Sequence, residues 1–243
     1  YNITITDANG CSTTTSITIN QHNPISFVAN LSNNLCYNDS TGYININVSG
    51  GTSGYNISWT GAMNGNPNGI EILNSGGNYQ ITNLIAGQYD ITITDANLCD
   101  TTFQIIITQP TPLTLNTQAI IDNLCNGGAS GSILVTGNGG VSPYQISWYG
   151  PIIGSPNGIE IQTNGQSYNI DSLLSGLYNI QIIDFNGCNQ NLMAIVNEPA
   201  AIIVNSNITS INCFGESSGS INLNVSGGTV GYLSLIHISE PTR

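Results

Sequence analysis

The stretch AGQYDITITDANLC, Ala86 to Cys99, is present in three versions, and that recurrence constrains the fold more than any other property of the chain. YNITITDANGC spans Tyr1 to Cys11 and SGLYNIQIIDFNGC spans Ser175 to Cys188. Tyr1, Tyr89 and Tyr178 stand 88 and 89 residues apart, so the chain is one module repeated in tandem. Within the stretch, Tyr89, Ile91 and Ile93 alternate with Asp90, Thr92 and Thr94. That period of two describes a half-buried strand with one apolar and one polar face, broken in the third version by Ile183. At Asp95 to Asn97, or Asp7 to Gly10, the chain must turn, because Asp and Asn bond their own backbone and tolerate left-handed geometry. A hairpin is expected there.

The rest of the module repeats too. An apolar strand (Ile25 and Phe27, Leu113 and Leu115, or Ile202 and Val204) leads to a cysteine-bearing turn, CYNDSTG, CNGGASG or CFGESSG. Ile44, Ile46 and Val48 then alternate before the pair Gly50 and Gly51, as Ile221, Leu223 and Val225 do before Gly227 and Gly228. Gly137 stands where Val48 does, which predicts looser packing in that copy. YNISW and YQISW place Tyr55, Ile57 and Trp59, or Tyr144, Ile146 and Trp148, on one side, with the Trp as the largest core filler. About seven short strands in about 88 residues, with turn signals every 8 to 12, predict an all-β fold of tandem immunoglobulin- or fibronectin-like sandwiches. Tyr55, Trp59, Tyr89, Tyr144, Trp148 and Tyr178 are the expected structural residues, and Leu84 to Tyr89 resembles a tyrosine corner.

QHNP (Gln21 to Pro24), QPTP (Gln109 to Pro112) and EPAA (Glu198 to Ala201) read as short, semi-rigid junctions, since proline lacks a ladder donor. The expected organisation is the last hairpin of one module over residues 1–22, complete modules over 23–110 and 111–199, and the beginning of another over 200–232. Residues 233–243, LSLIHISEPTR, break the repeat where Tyr232 should lead to a Trp. This tail resembles the translation of a transposase-type sequencing adapter, which implies that it is not native.

Composition narrows the function. The net charge is −12 with no lysine, and the single basic residue is Arg243 in the tail. Phosphate neutralisation needs Lys and Arg, so nucleic acid is excluded as a partner and anionic membrane surfaces with it. No apolar run is long enough to insert in a membrane. A nucleophilic triad needs a base, and outside the tail the only histidine is His22, in a junction. The recurring acids Asp7, Asp95 and Asp184 are explained as turn formers, with calcium ligation the lesser reading, and Glu71 and Glu160 as outward strand positions. No catalytic residue, cofactor or metal site is expected.

Six cysteines fall in two registers, Cys36, Cys125 and Cys213 in the first turn and Cys11, Cys99 and Cys188 after the last hairpin. Six cysteines permit 15 pairings. Pairing within modules would join Cys36 to Cys99 and Cys125 to Cys188, closing loops of 63 residues worth roughly 4 kcal/mol each on the chain-entropy model. In an immunoglobulin-like topology, however, first turn and last hairpin lie at opposite ends of strands roughly 26 Å long, far beyond the roughly 4.4 to 6.8 Å that bridged Cα atoms allow. Three readings stay open: bonds within modules in a modified topology, a pair across a junction, Cys36 with Cys188, or free thiols.

The pattern C-x-G-x-x-x-G-S-I, G-G-x-x-x-Y-x-x-S-W and L-x-x-G-x-Y-x-I-x-I-x-D-x-N-G-C, carried over residues 1 to about 232, resembles the SprB-type repeat of gliding-motility adhesins and other large surface proteins of Bacteroidota. The second version of the hairpin departs from it with Leu98 in place of Gly. The resemblance implies type IX secretion, a cell-surface location and a non-catalytic, adhesive or stalk-forming role, with an extracellular surface or glycan as partner. Two alternatives stay open. The modules would be spacers of a large secreted enzyme, or would themselves bind glycans through exposed tyrosines such as Tyr37 and Tyr149.

Overall fold

The computed structural model describes residues 1–72, 76–152, 154–161 and 163–235, with side chains left aside for 66–72 and 154–160. His237 and Arg243 lie outside the described residues, as do the side chains of Glu71 and Glu160. The described residues form strands and no helix. They divide into two compact units, Tyr1–Pro110 and Thr111–Arg243.

The first unit opens with a two-stranded hairpin, β1 (Asn2–Thr6) and β2 (Ser12–Ser16). A complete module follows. Its strands are β3 (Ser26–Ser32), β4 (Gly42–Ser49), β5 (Tyr55–Gly61), β6 (Gly65–Ile72), β7 (Gly77–Leu84), β8 (Gly87–Thr94) and β9 (Asp100–Ile107). They form a three-stranded sheet in the order β3-β4-β7 and a four-stranded sheet in the order β6-β5-β8-β9, with every pair antiparallel. The second unit repeats the scheme with β10 (Thr114–Ile121), β11 (Gly131–Asn138), β12 (Tyr144–Tyr149), β13 (Gly154–Ile161), β14 (Ser167–Leu173), β15 (Gly176–Ile183) and β16 (Asn189–Val196). Its sheets are β10-β11-β14 and β13-β12-β15-β16. The hairpin β17 (Ile203–Thr209) and β18 (Ser220–Ser226) restarts the pattern. Constant immunoglobulin domains divide their strands four and three; here the fourth strand pairs with the third, so the division is three and four.

The period of two dictates what lies between the sheets. Ile44, Ile46 and Val48 from β4 meet Tyr55 and Ile57 from β5 and Tyr89, Ile91 and Ile93 from β8 in one buried cluster. The second module buries Ile133 and Val135 with Tyr144, Ile146, Trp148, Tyr178, Ile180 and Ile182. All four repeated tyrosines are at most 1% exposed, Trp148 is buried and Trp59 is half-buried. The gap expected at Gly137 is filled. A Cβ there would fall 2.3 Å from Ile182 Cδ1, so the isoleucine has extended into the space that a larger residue would need. Residues 233–235 are exposed and in no strand.

Candidate functional site

The polar residues that recur are gathered at the two ends of each module. At the end nearest the incoming junction, Asp95 Oδ1 accepts hydrogen bonds from the backbone N–H groups of Asn97 and Cys99 at 2.9 Å, and Oδ2 accepts one from Thr52 at 2.9 Å. Asp184 does the same for Asn186, Cys188 and Val141. One carboxylate therefore closes the last hairpin and ties it to the turn between the second and third strands. The Thr52 N–H, foremost, with those of Cys99 and Asn97 and the charge of His22, holds the Asp95 carboxyl below the usual carboxylate range, against the opposing effect of burial. Gly51 N–H donates to Asn23 and Gly140 N–H to Thr111, so the junction is stitched to the same turn. Tyr55 and Tyr144 hydroxyls donate to the carbonyls of Gly50 and Gly139. Gly139 has φ +77°, and a Cβ on it would lie 1.8 Å from Pro112 O, so no other residue fits.

At the opposite end the turn cysteine is held beside the outgoing junction. Asn34 is buried; its N–H donates to Thr108 O at 3.0 Å, its Nδ2 donates to Asp39 O and its Oδ1 accepts from Gly42 N. Asn38 N–H donates to Gln109 Oε1 at 2.8 Å. In the second module Asn123 N–H donates to Asn197 O, Asn123 Oδ1 accepts from Ser130 and Gly131, and Glu198 accepts from Gly127 N at 2.7 Å and Asn126 Nδ2 at 3.0 Å. Buried Asn34 and Asn123 are the residues that sequence reasoning missed. Their one legible signal was a shared place, two residues before Cys36 and Cys125.

Two clefts lie beside these ends. One of about 440 Å³ is lined by Leu124, Cys125 and Asn126 together with Pro199 to Ile202, Gly228 and Thr229. The other, about 380 Å³, joins the junction residues Gln21 to Ile25 with Gly51, Asp95, Asn97 and Cys99. Cys11, Cys99, Cys125 and Cys213 are exposed free thiols, whereas Cys36 and Cys188 are disulfide-bonded. His22 shares a cleft with Asp95, whose two oxygens both accept from backbone donors. Among the described residues no three His, Cys, Asp or Glu side chains gather where a metal ion could be held.

Tyr37 and Tyr149 are both exposed. Tyr149 closes the outer face of the second module's four-stranded sheet, in register with Asn179 and, beyond it, Met193; Leu177 pairs with Ile195 alongside. All four apolar residues are exposed, and Asn179 Oδ1 has no hydrogen-bond partner among the described residues.

Residues 28–64, 117–151 and 205–233 each match the SprB repeat. The chain carries SprB repeats. Each matched segment begins in the first strand of a module and takes in the turn cysteine, the Gly-Gly turn and the tyrosine that bonds to it. In each complete SprB module the hairpin from the tyrosine corner to the second cysteine lies beyond the match, yet it buries Tyr89, Ile91 and Ile93, or Tyr178, Ile180 and Ile182, in the core. No curated protein matches the chain. Among solved structures, the C-terminal 282-residue fragment of intimin, in complex with the intimin-binding domain of the translocated intimin receptor, is similar at 13% identity and a TM-score of 0.39, over 75% of this chain and 67% of that one. Dpr2 Ig1-Ig2 in complex with DIP-Theta Ig1-Ig3 is similar at 15% identity and 0.30, over 74% and 69%. A chimeric titin Z1Z2-Z1Z2 tandem gives 16% and 0.28, over 72% and 99%. SprB repeats are modules of repetitive cell-surface proteins, and no helix among the described residues is long and apolar enough to cross a membrane.

Proposed function

We propose that these SprB modules form part of a non-catalytic stalk, exported by the type IX route, that displays or builds an adhesive surface in gliding motility. One observation carries the reading. The side chains that recur from module to module, Asp95 with Asp184, Tyr89 with Tyr178, Tyr55 with Tyr144 and Asn34 with Asn123, are all engaged in holding the sandwich together. A residue kept for chemistry would present unengaged atoms to a cleft. Beads coated with the full chain should attach to polysaccharide-coated surfaces more firmly than beads coated with an unrelated sandwich protein. Equal attachment of the two would defeat the adhesive reading.

A second reading, glycan binding by the module itself, is favoured by the outer face around Tyr149. The exposed Tyr149 ring can stack on a sugar face. Glycan-array binding by the full chain that vanishes in Tyr149→Ala would support it; binding unchanged in that variant would exclude this face.

A further inference from the structure

Strand β16 sends its side chains alternately to two destinations. Ala194 and Val196 enter the core and Leu192 packs against it, so Met193 and Ile195 stand on the outside of the sheet. Met193 is 71% exposed. The register lays Asn179 and then Tyr149 beside it across the sheet, and sets Leu177 next to Ile195. Tyr149, Leu177, Met193 and Ile195 thus form one exposed apolar face. The other methionine of the chain, Met63, belongs to the first module, in the turn between β5 and β6.

The fold does not require this face. Gln104 holds the place of Met193 in the first module and donates to Asp90, so the same backbone position accepts a polar side chain. Only the second module makes the row apolar, and its most exposed member is a thioether. Methionine differs from leucine or isoleucine in one chemical respect: a two-electron oxidant converts it to the sulfoxide, replacing a flexible apolar side chain with a polar one.

Asn179 shows what that conversion does locally. Its Oδ1 is shut off from solvent and has no hydrogen-bond partner among the described residues, although Tyr149 and Met193, its neighbours in register, are exposed. An amide oxygen on an outer face loses its water only where other side chains close over it, and that loss opposes folding. A sulfoxide beside it carries water to the same spot. Because Met193 lies outside the core, oxidation costs nothing inside the sandwich, and its effect is confined to the face.

We propose that Met193 is an oxidation site through which a peroxide turns the outer face of the second module from apolar to polar. The sulfur lone pair attacks one peroxide oxygen and the O–O bond breaks. That oxygen stays on sulfur, and the other leaves as hydroxide, which takes the remaining proton to become water. Sulfur gives up two electrons and the peroxide accepts them. A dithiol reductase reverses the change, ending as a disulfide and releasing water. As a control on adhesion the site rests on the adhesive reading above; as a chemical property of the face it does not.

The test uses the full chain with its thiols blocked by N-ethylmaleimide, treated with hydrogen peroxide and followed by mass spectrometry and by elution from an alkyl resin. Met193, at 71% exposure, should be converted ahead of Met63, at 41%. The oxidised chain should elute earlier, by the same shift that Met193→Gln produces without oxidant, and a methionine sulfoxide reductase should restore the original position. Met193→Leu should elute with the untreated chain and stay there after peroxide, whereas Met63→Leu should shift as the parent does. The midpoint of chemical denaturation should be the same before and after oxidation. Conversion of Met63 while Met193 resists, a shift that persists in Met193→Leu, no shift at full conversion of Met193, or a fall in the denaturation midpoint would each overturn the proposal. None of these measurements reads attachment, so a failed bead assay and a failed oxidation test are told apart.

Discussion

The two complete modules share a backbone plan and differ in what they do with one face. On the first, the outer side of β5, β8 and β9 carries Thr60, Asp90 and Gln104 in one row and Ser58, Thr92 and Thr102 in the next. Gln104 Nε2 donates to Asp90, and the hydroxyls of Thr92 and Thr102 share a hydrogen bond, so the face satisfies itself. On the second, the first of those rows reads Tyr149, Asn179 and Met193, flanked by Leu177 and Ile195. Side chains facing inward stay apolar in both modules, with the tyrosines unchanged. The sandwich constrains only what it buries, and the exposed rows are left for selection to vary.

The interiors differ in a smaller way. In the first module Phe27 of β3 and Phe103 of β9 stack at 3.9 Å between ring centres, joining the two sheets at their edge. Leu115 and Leu192 hold the matching places in the second. There Trp148 is buried and stands 6.2 Å from Tyr168, whereas Trp59 is half-buried. The paired rings thus fall on different strands, β3 and β9 in the first module and β12 and β14 in the second.

These contrasts can be broken or sharpened by substitution. The largest effect is expected at the corner tyrosines, where the modules should not differ: Tyr89→Ala and Tyr178→Ala should each cost about 3–5 kcal/mol in chemical denaturation of the unit concerned. A large inequality would mean that the shared plan hides unequal cores. Next is the edge pair. A double-mutant cycle over Phe27→Leu and Phe103→Leu should give a coupling of about 0.5–1.5 kcal/mol, and installing phenylalanine at both Leu115 and Leu192 should create a stack only if the second module can accommodate it. Zero coupling in the first module would show that the rings merely fill space.

The response to pH comes third. The Asp95 carboxyl is lowered in the folded chain, so its contribution is present above its unfolded value of about 3.9 and is lost as pH falls through the folded one. The first module should lose stability in acid below about pH 4, and Asp95→Asn should flatten that limb in a fluorescence-monitored titration. Burial raises Tyr89, Tyr144, Tyr168 and Tyr178. Their contribution is complete below about pH 10 and is lost as pH rises through the folded values, so both modules should weaken in alkali. Phenolate absorbance showing all 11 tyrosines titrating together near 10 would contradict that burial. The smallest effect on stability belongs to the variable face. Exchanging Tyr149→Thr, Leu177→Gln and Met193→Gln should move stability by no more than about 0.5 kcal/mol per site while reducing retention on an apolar resin to that of a face like the first module's.

Most of the fold was legible because the module repeats and because strands have a period of two. Tyr89, Ile91 and Ile93 could be assigned to the core from alternation alone, and Asp95 to a turn from its neighbours. Asn34 and Asn123 were not legible, since an asparagine in a chain so rich in asparagine gives no sign that it alone will be enclosed by the turn it braces. Gly137 misled for a related reason: a missing side chain in sequence predicts a void, but Ile182 is long and free enough to occupy it.

By itself, then, the sequence determined the module, its length, its alternating strands and the tyrosines that fill it, all of which depend on local periodicity and on comparison of one copy with the next. Only the tertiary structure decided how seven strands divide between two sheets, which end of a module each cysteine occupies and which exposed side chains become neighbours. Those outcomes depend on pairing between strands far apart in the chain, where register rather than sequence order sets what lies beside what.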